Sequence, residues 1–192
     1  MKTIAVYCGS NKGFHEEYIS AAKEFGKVLG EKNMNMVYGG GGTGMMGAVS
    51  NAAVEAGCRV TGVIPSFFHT DNLGNKNITE SIVVDTMHER KQMMADLADA
   101  FVALPGGYGT MEELFEVLTW QQIKLHNKPI GILNINNYYS PFISMVNKMV
   151  QEGFLHDANR SLICIDEDPR ILIDKLSGFK PTEIKHWFVD VR

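Results

Sequence analysis

The segment Ala100-Phe101-Val102-Ala103-Leu104-Pro105-Gly106-Gly107-Tyr108-Gly109-Thr110 decides the fold. Its first five residues form a short apolar run that predicts a buried strand, and residues 110–124 have the periodicity of a helix. The glycines between them predict a tight turn. A strand that leads through such a turn into a helix is the repeating unit of a parallel α/β sheet.

The same alternation extends along the chain in both directions. Apolar runs predict strands at 3–8, 34–38, 59–64, 81–86, 100–104, 129–135 and 162–165. Helical periodicity predicts helices at 15–31, 44–56, 87–98, 110–124, 140–151 and 169–176. The pattern predicts an α/β fold, a Rossmann-like doubly wound parallel sheet with helices on both faces. We expect a single domain over 1–178, a C-terminal tail over 179–192 and a long loop over 65–80.

Composition narrows the class of protein. With 192 residues, 45% of them hydrophobic, the chain can bury one good-sized core. A formal net charge of −4 provides no positive field for a phosphate backbone, which counts against a nucleic-acid partner. No apolar run approaches the roughly 18 residues of a membrane span, and the N-terminus lacks a signal peptide. We therefore expect a protein that does not enter the membrane.

Cysteine and histidine usage predicts the compartment and the absence of a metal. Cys8, Cys58 and Cys164 are far apart and lack CxxC spacing. They are typical of buried free thiols in a reducing compartment, so we expect cytoplasmic localisation. The six histidines are scattered without ligand spacing, so neither a structural nor a catalytic metal is expected.

Glycine-rich turns predict where a ligand binds. Besides the 104–110 turn, Cys8-Gly9-Ser10-Asn11 and residues 37–44 lead from a strand through glycine into a helix. Ligands of open α/β sheets bind at the carboxyl ends of strands, where helix N-termini offer free N–H groups. Neither loop has a Walker A ending, and the first strand does not lead into GxGxxG followed by an acidic residue at the ribose-binding distance. A mononucleotide or a phosphorylated sugar is therefore favoured. The alternative is that the glycines serve only as tight turns.

A charged residue interrupts the apolar stripe of the helix predicted at 87–98. Arg90 is separated by helical spacings from four apolar residues: Met87 three positions before it, and Met93, Met94 and Leu97 three, four and seven positions after it. This spacing places Arg90 on the apolar side of its helix. An unpaired guanidinium there is costly, so a carboxylate or phosphate partner is expected. The alternative is an arginine that extends its charged end to solvent.

The helix predicted at 110–124 begins with a second candidate. Thr110-Met111-Glu112-Glu113 has the spacing of a capping box, in which Thr110 would cap the helix and Glu113 would return to the Thr110 N–H. This structural role competes with a role for Glu113 in a ligand site.

These motifs together resemble a known family. Pro105-Gly106-Gly107-Tyr108-Gly109-Thr110-Met111-Glu112-Glu113 matches PGGxGTxxE, and Met87-His88-Glu89-Arg90-Lys91 is similar to the MHxRK segment of the Lonely guy family. The likeness covers roughly residues 2 to 178. It implies a homodimer, without metal or organic cofactor, that hydrolyses nucleoside 5′-monophosphates to free base and ribose 5-phosphate. Members act on cytokinin nucleotides and commonly on AMP.

The resemblance also implies roles for individual residues. Arg90 and Glu113 would be the catalytic pair. Nucleotide contacts would come from Lys91, Gly107, Tyr108, Gly109, Thr110, Glu112 and Thr119. Plant members tend to have a substrate-contacting glutamate in the loop after Pro65, where this chain has Asn72.

Two other functions compete with hydrolysis. A nucleotide- or cofactor-binding protein could keep the same cleft without chemistry, because a fold alone does not establish catalysis. The simultaneous presence of Arg90 and Glu113 counts against this alternative. A pyridoxal-phosphate amino-acid decarboxylase would need a Schiff-base lysine, and no lysine stands in a recognisable sequence context for one.

Overall fold

A computed structural model describes residues 1–68 and 74–180, and within them the chain forms one parallel sheet. Its strands are β1 (Thr3–Tyr7), β2 (Asn35–Tyr38), β3 (Val60–Pro65), β4 (Glu80–Val84), β5 (Ala100–Ala103), β6 (Ile130–Leu133) and β7 (Ile163–Asp166). Their order is β4-β3-β2-β1-β5-β6-β7, and every neighbouring pair is parallel. The predicted α/β fold is confirmed.

Helices cover both faces of this sheet. They are α1 (Glu16–Glu31), α2 (Gly44–Glu55), α3 (Met87–Leu97), α4 (Tyr108–Gln122), α5 (Ser140–Gln151), α6 (Asp157–Arg160) and α7 (Pro169–Ser177). Side chains from α1, α2 and α7 form one core with Ile4 and Val6 of β1. Side chains from α3, α4 and α5 form the other with Ala5 and Tyr7. Alternate residues of a central strand thus enter opposite cores, which explains why the central strands are mostly apolar.

Most predicted elements agree with the structure to within two residues, but short and irregular ones were missed. The sequence did not predict α6 or the 3₁₀ turns at Ser66–Phe68 and Ile135–Asn137. The single domain over 1–178 stays a prediction, which one continuous sheet supports. Within the described part of the chain, no helix is both long and apolar enough to cross a membrane.

The strand order creates one topological switch point. The chain runs outward from β1 through β2, β3 and β4, and then returns to add β5 on the other side of β1. The turns that follow β1 and β5 therefore leave the sheet in opposite directions. The crevice between them is the place where ligands bind in open α/β sheets.

Candidate active site

A cavity of about 400 Å³ lies at this switch point. The turn after β1, residues 8–13, and the turn after β5, residues 105–110, form two of its walls, and the first residues of α2, α3 and α4 complete it. The turns are joined by a hydrogen bond from the Gly9 N–H to the Pro105 carbonyl, at 3.0 Å. Two of the three glycine-rich turns predicted to bind a ligand therefore meet at one site, and residues 37–44 do not line it.

The start of α2 serves the protein rather than a ligand. The N–H groups of Met45 and Met46 donate to the carbonyls of Asn11 and Gly9, at 3.3 and 3.2 Å. Gly44 has a φ of +59°, and a β-carbon there would lie 2.1 Å from the Ser10 carbonyl oxygen. The glycines of residues 39–44 thus let α2 pack against the turn after β1.

The first N–H groups of α4 have no partner within the helix. Gly107 is the N-cap, and the first hydrogen bond within the helix runs from the Met111 N–H to the Gly107 carbonyl, at 3.1 Å. The N–H groups of Tyr108, Gly109 and Thr110 precede that bond and lie at the cavity wall. A β-carbon at Gly107 would meet no atom within 4 Å, so a ligand can approach this turn closely.

The capping box predicted for Thr110 and Glu113 is wrong. Gly107 takes the N-cap position because the helix begins at Tyr108, so Thr110 is already the third helical residue. The same T-x-x-E spacing does form a cap at α3, where Thr86 Oγ1 accepts the Glu89 N–H at 3.1 Å. The early start of α4 frees the Glu113 side chain for the cavity.

Glu113 and Arg90 meet at the cavity, and both are buried, with 5% and 8% of their surface exposed. Glu113 Oε1 lies 3.1 Å from Arg90 Nη2. The structure thus places Arg90 on the buried side of α3, beside a carboxylate. The contact is an ion pair without hydrogen-bond geometry, so Glu113 Oε1 has no hydrogen-bond partner among the described residues, and Arg90 Nε has none either. Both atoms keep hydrogen-bonding capacity for a ligand.

The environment of Glu113 suits proton transfer at neutral pH. Burial raises its pKa to about 7, and the charge of Glu112 raises it as well, whereas the charges of Arg90 and Lys91 lower it. The carboxyl group is therefore divided between its acid and base forms near pH 7. A pKa near the working pH is typical of a general acid or base.

Lys91 belongs to an adjoining charge cluster rather than to the cavity wall. It is 9% exposed, and its Nζ donates to Glu112 and, at 3.0 Å, to Glu116. Burial lowers the pKa of Lys91, but the hydrogen bonds to these two carboxylates outweigh burial and hold the pKa above its usual value. Glu112 lines the cavity, so the cluster reaches the site through that residue.

The resemblance suggests two further residues, Thr119 and Asn72. Thr119 is exposed on α4 outside the residues that line the cavity, and its Oγ1 donates to the Phe115 carbonyl at 2.8 Å. Asn72 lies outside the described residues.

The sequence did not single out two residues that shape the site. A β-carbon at Gly39 would lie 2.0 Å from Arg90 Nη2, so this glycine makes room for the guanidinium. Tyr138, from the segment after β6, lines the cavity and donates to the Gly106 carbonyl. In the sequence, Gly39 is one of four consecutive glycines and Tyr138 one of two consecutive tyrosines, which gives no signal for either.

The fold and the site together define a doubly wound α/β protein with a ligand cavity at its switch point and a buried carboxylate–guanidinium pair. A sequence profile described as "Possible lysine decarboxylase" matches residues 46–176. The cytokinin riboside 5′-monophosphate phosphoribohydrolase LOG of Oryza sativa subsp. japonica is 46% identical over 180 residues, 94% of this chain and 74% of that protein. The chain therefore belongs to the Lonely guy (LOG) family.

A second relative and a solved structure extend the comparison. The enzyme of the same name, LOG3, from Arabidopsis thaliana is 42% identical over 180 residues, 94% of this chain and 84% of that protein. The molybdenum cofactor carrier protein of Chlamydomonas reinhardtii superposes with a TM-score of 0.69 at 20% identity, over 93% of this chain and 99% of that one. At that identity the second likeness concerns the fold alone.

Proposed function

We propose that this protein hydrolyses the N-glycosidic bond of cytokinin riboside 5′-monophosphates, AMP or both, giving free base and ribose 5-phosphate. The observation that carries the proposal is the buried pair of Glu113 and Arg90, 3.1 Å apart at the cavity. The names of the relatives support the reaction, and the N–H groups at the start of α4 suit the phosphate of such a substrate.

The proposed phosphate site is the first turn of α4. The N–H groups of Tyr108, Gly109 and Thr110 converge there, and the positive end of the helix dipole favours an anion. Gly107 and Gly109 have no atom within 4 Å of where a β-carbon would be, which leaves room for phosphate oxygens. Glu113 follows Gly109 by four residues, so the carboxylate lies about one helical turn from the phosphate site.

The proposed chemistry follows from the charges that develop during cleavage. Breaking the bond from ribose C1′ to the base nitrogen leaves positive charge on the ribose and the electron pair on the base. The Glu113 carboxylate stabilises the positive ribose and accepts a proton from the attacking water, whose oxygen bonds to C1′. The departing base nitrogen takes up a proton from solvent, and Glu113 returns the proton of the attacking water to solvent, so that the net reaction adds one water. Arg90 orients Glu113 and the nucleotide; it stays protonated and donates no proton.

We also propose a homodimer that packs across one face of α4. Phe115, Thr119 and Ile123 are spaced four residues apart and so share that face. Phe115 and Ile123 are 40% and 37% exposed. The resemblance assigns Thr119 a nucleotide contact, which it could make only if this face met a partner's cavity. Light scattering after gel filtration should give twice the chain mass, and Ile123→Glu should give monomers; a monomeric wild type would refute the dimer.

The proposed compartment is the cytoplasm. Cys8, Cys58 and Cys164 are free thiols, which suits reducing conditions. Burial raises the pKa of all three thiols, which makes them poor nucleophiles.

The decisive experiment is chromatographic detection of free base and ribose 5-phosphate after incubation with AMP and with isopentenyladenosine monophosphate. Wild type should release both products from at least one nucleotide, and the comparison of rates ranks the substrates. Glu113→Ala and Arg90→Ala should fold but release neither. Absence of release by the wild type would favour a binding protein without chemistry, and undiminished release by both variants would refute the catalytic pair.

A decarboxylase is the less favoured function. The buried Lys91 is engaged by two carboxylates rather than directed to the cavity, and Lys12, which lines it, stands on an exposed turn. A protein purified with bound pyridoxal phosphate would be yellow and would release carbon dioxide from an amino acid. We expect a colourless protein without that activity.

A further inference from the structure

Two consecutive tyrosines support the turn that leads into α4. Tyr138 and Tyr139 follow β6, and their hydroxyl groups donate to carbonyls of that turn. Tyr138 donates to Gly106 at 2.5 Å, and Tyr139 donates to Leu104 at 2.7 Å. Tyr139 is 1% exposed, whereas Tyr138 is 41% exposed and lines the cavity. Tyr139 therefore belongs to the core, and Tyr138 belongs to the wall of the site.

The segment that carries them is shaped to direct their side chains. Asn136 and Asn137 have φ values of +50° and +57°, a left-handed conformation that asparagine tolerates better than most residues. Asn134 Oδ1 accepts the Tyr139 N–H at 2.7 Å, which closes the turn. The Tyr138 ring then packs edge-on against Tyr18, with centroids 5.9 Å apart and planes at 79°. Tyr138 is thus held from two sides.

The bond from Tyr138 holds the carbonyl side of the Gly106–Gly107 peptide. In a trans peptide the carbonyl of Gly106 and the N–H of Gly107 point in opposite directions, so fixing one fixes the other. A glycine has more backbone freedom than other residues, and a β-carbon at Gly107 would meet no atom within 4 Å. Loss of the bond from Tyr138 leaves the bond from the Met111 N–H to the Gly107 carbonyl on the helix side, so the Gly106–Gly107 peptide can tilt and change the direction of the first N–H groups of α4.

We propose that Tyr138 is a positioning residue whose hydroxyl group fixes the Gly106–Gly107 peptide and thereby orients the N–H groups that bind the 5′-phosphate. The proposal rests on the proposed function, because it assigns a phosphate to the start of α4. It separates two roles within one dipeptide: Tyr139 stabilises the fold, and Tyr138 sets affinity for the phosphate. A tyrosine with a purely structural role would not show this separation.

The test compares Tyr138→Phe with its matched neighbour variant Tyr139→Phe. Each removes one hydroxyl group and keeps the ring. The readouts are the Kd of ribose 5-phosphate by calorimetry, KM and kcat for AMP, and Tm. We expect Tyr138→Phe to raise Kd and KM about five- to tenfold, the equivalent of one hydrogen bond, with kcat changed less than twofold. Its Tm should match wild type, whereas Tyr139→Phe should lower Tm and change Kd less than Tyr138→Phe does.

The outcomes distinguish this proposal from the proposed function. Ribose 5-phosphate binding that weakens in Tyr138→Phe supports the positioning role even if wild type fails to hydrolyse AMP, which would overturn only the reaction. A Kd within twofold of wild type overturns the positioning role while hydrolysis stands. The positioning role is also overturned if, in both variants, the affinity for ribose 5-phosphate falls in proportion to the decrease in Tm. If the wild type binds no ribose 5-phosphate, KM for AMP decides, and a KM of Tyr138→Phe within twofold of wild type overturns the positioning role.

Discussion

Gly39 lies directly against the guanidinium of Arg90, since a β-carbon on Gly39 would be 2.0 Å from Arg90 Nη2. The atom in the way is the far end of a flexible side chain, so Gly39→Ala should move Arg90 rather than disrupt the sheet. Displacement from Glu113 removes a charged contact that we place in the reaction. We expect kcat/KM for AMP to fall about ten- to a hundredfold, with Tm close to wild type.

Gly178→Ala provides the control for this substitution. Its β-carbon would meet the Asp174 carbonyl oxygen at 3.5 Å, an ordinary contact, at the end of α7 and outside the cavity lining. Steady-state kinetics and thermal melts of both variants decide the matter. Wild-type kcat/KM in Gly39→Ala would show that Arg90 does not need its observed position.

The pKa of Glu113 predicts how activity depends on pH. Burial raises that pKa to about 7, and the proposed reaction needs the carboxylate. Below pH 7, kcat/KM for AMP should fall about tenfold for each pH unit, and above it the value should level off. The substrate phosphate titrates near pH 6, so the affinity for ribose 5-phosphate should be measured over the same range to identify its contribution. Activity that is constant from pH 5.5 to 8 would contradict a carboxylate with this pKa.

The regular parts of the fold could be predicted because each follows from local pattern. Strands buried on both faces are short apolar runs, and the helices between them show a 3.6-residue period. The start of α4 could not be predicted in this way. The T-x-x-E spacing at Thr110 is as good a cap as the one at Thr86, and what decides between them is that the turn after β5 lets Gly107 take the N-cap.

The site was predictable where an unusual residue interrupted a pattern. Arg90 within an apolar stripe indicated a buried cation, and the structure places it beside Glu113. Gly39 and Tyr138 interrupt no pattern, because their roles depend on contacts between distant parts of the sequence. Gly39 contacts Arg90, 51 residues away, and Tyr138 contacts Gly106, 32 residues away. Such pairings are set by the tertiary fold, which local periodicity does not describe.

The charge cluster of Lys91, Glu112 and Glu116 predicts a shift in the pH profile. Lys91 lowers the pKa of Glu113, whereas Glu112 and Glu116 raise it. Lys91→Met removes the cation and leaves both carboxylates unneutralised, so the pKa of Glu113 should rise. The fall in kcat/KM on the acidic side should then begin at a higher pH than in wild type.

A second substitution tests the electrostatic origin of that shift. Adding Glu116→Gln to Lys91→Met removes one of the repelling charges and should return the profile partway toward wild type. If Lys91 instead acts by touching the nucleotide, as the resemblance implies, the plateau of kcat/KM should fall while the midpoint of the profile stays where it was. The two roles are therefore separated by which feature of the profile moves.

The environment of His126, at the end of the sheet opposite the cavity, predicts how the stability of the protein depends on pH. Its Nδ1 accepts the Lys128 N–H at 3.1 Å, so Nε2 carries the proton and donates to the Val117 carbonyl at 3.0 Å. Burial lowers the pKa of this neutral ring below 6.5. The unfolded chain therefore takes up the proton first as pH falls. Stability is complete above pH 6.5 and is lost as the pH falls through the folded-state pKa.

We therefore expect the Tm of wild type to fall more between pH 7.5 and 5.5 than that of His126→Gln, because the variant has no ring to protonate. Protonation of Nδ1 breaks the bond from Lys128, and one hydrogen bond is worth about 1 kcal/mol, or about 2–4 °C in Tm for a domain of this size. His88→Gln, on the exposed side of α3, should retain the wild-type fall. Equal decreases in Tm for wild type and His126→Gln would mean that another group governs the acid sensitivity, because His126→Gln removes the protonation of the His126 ring.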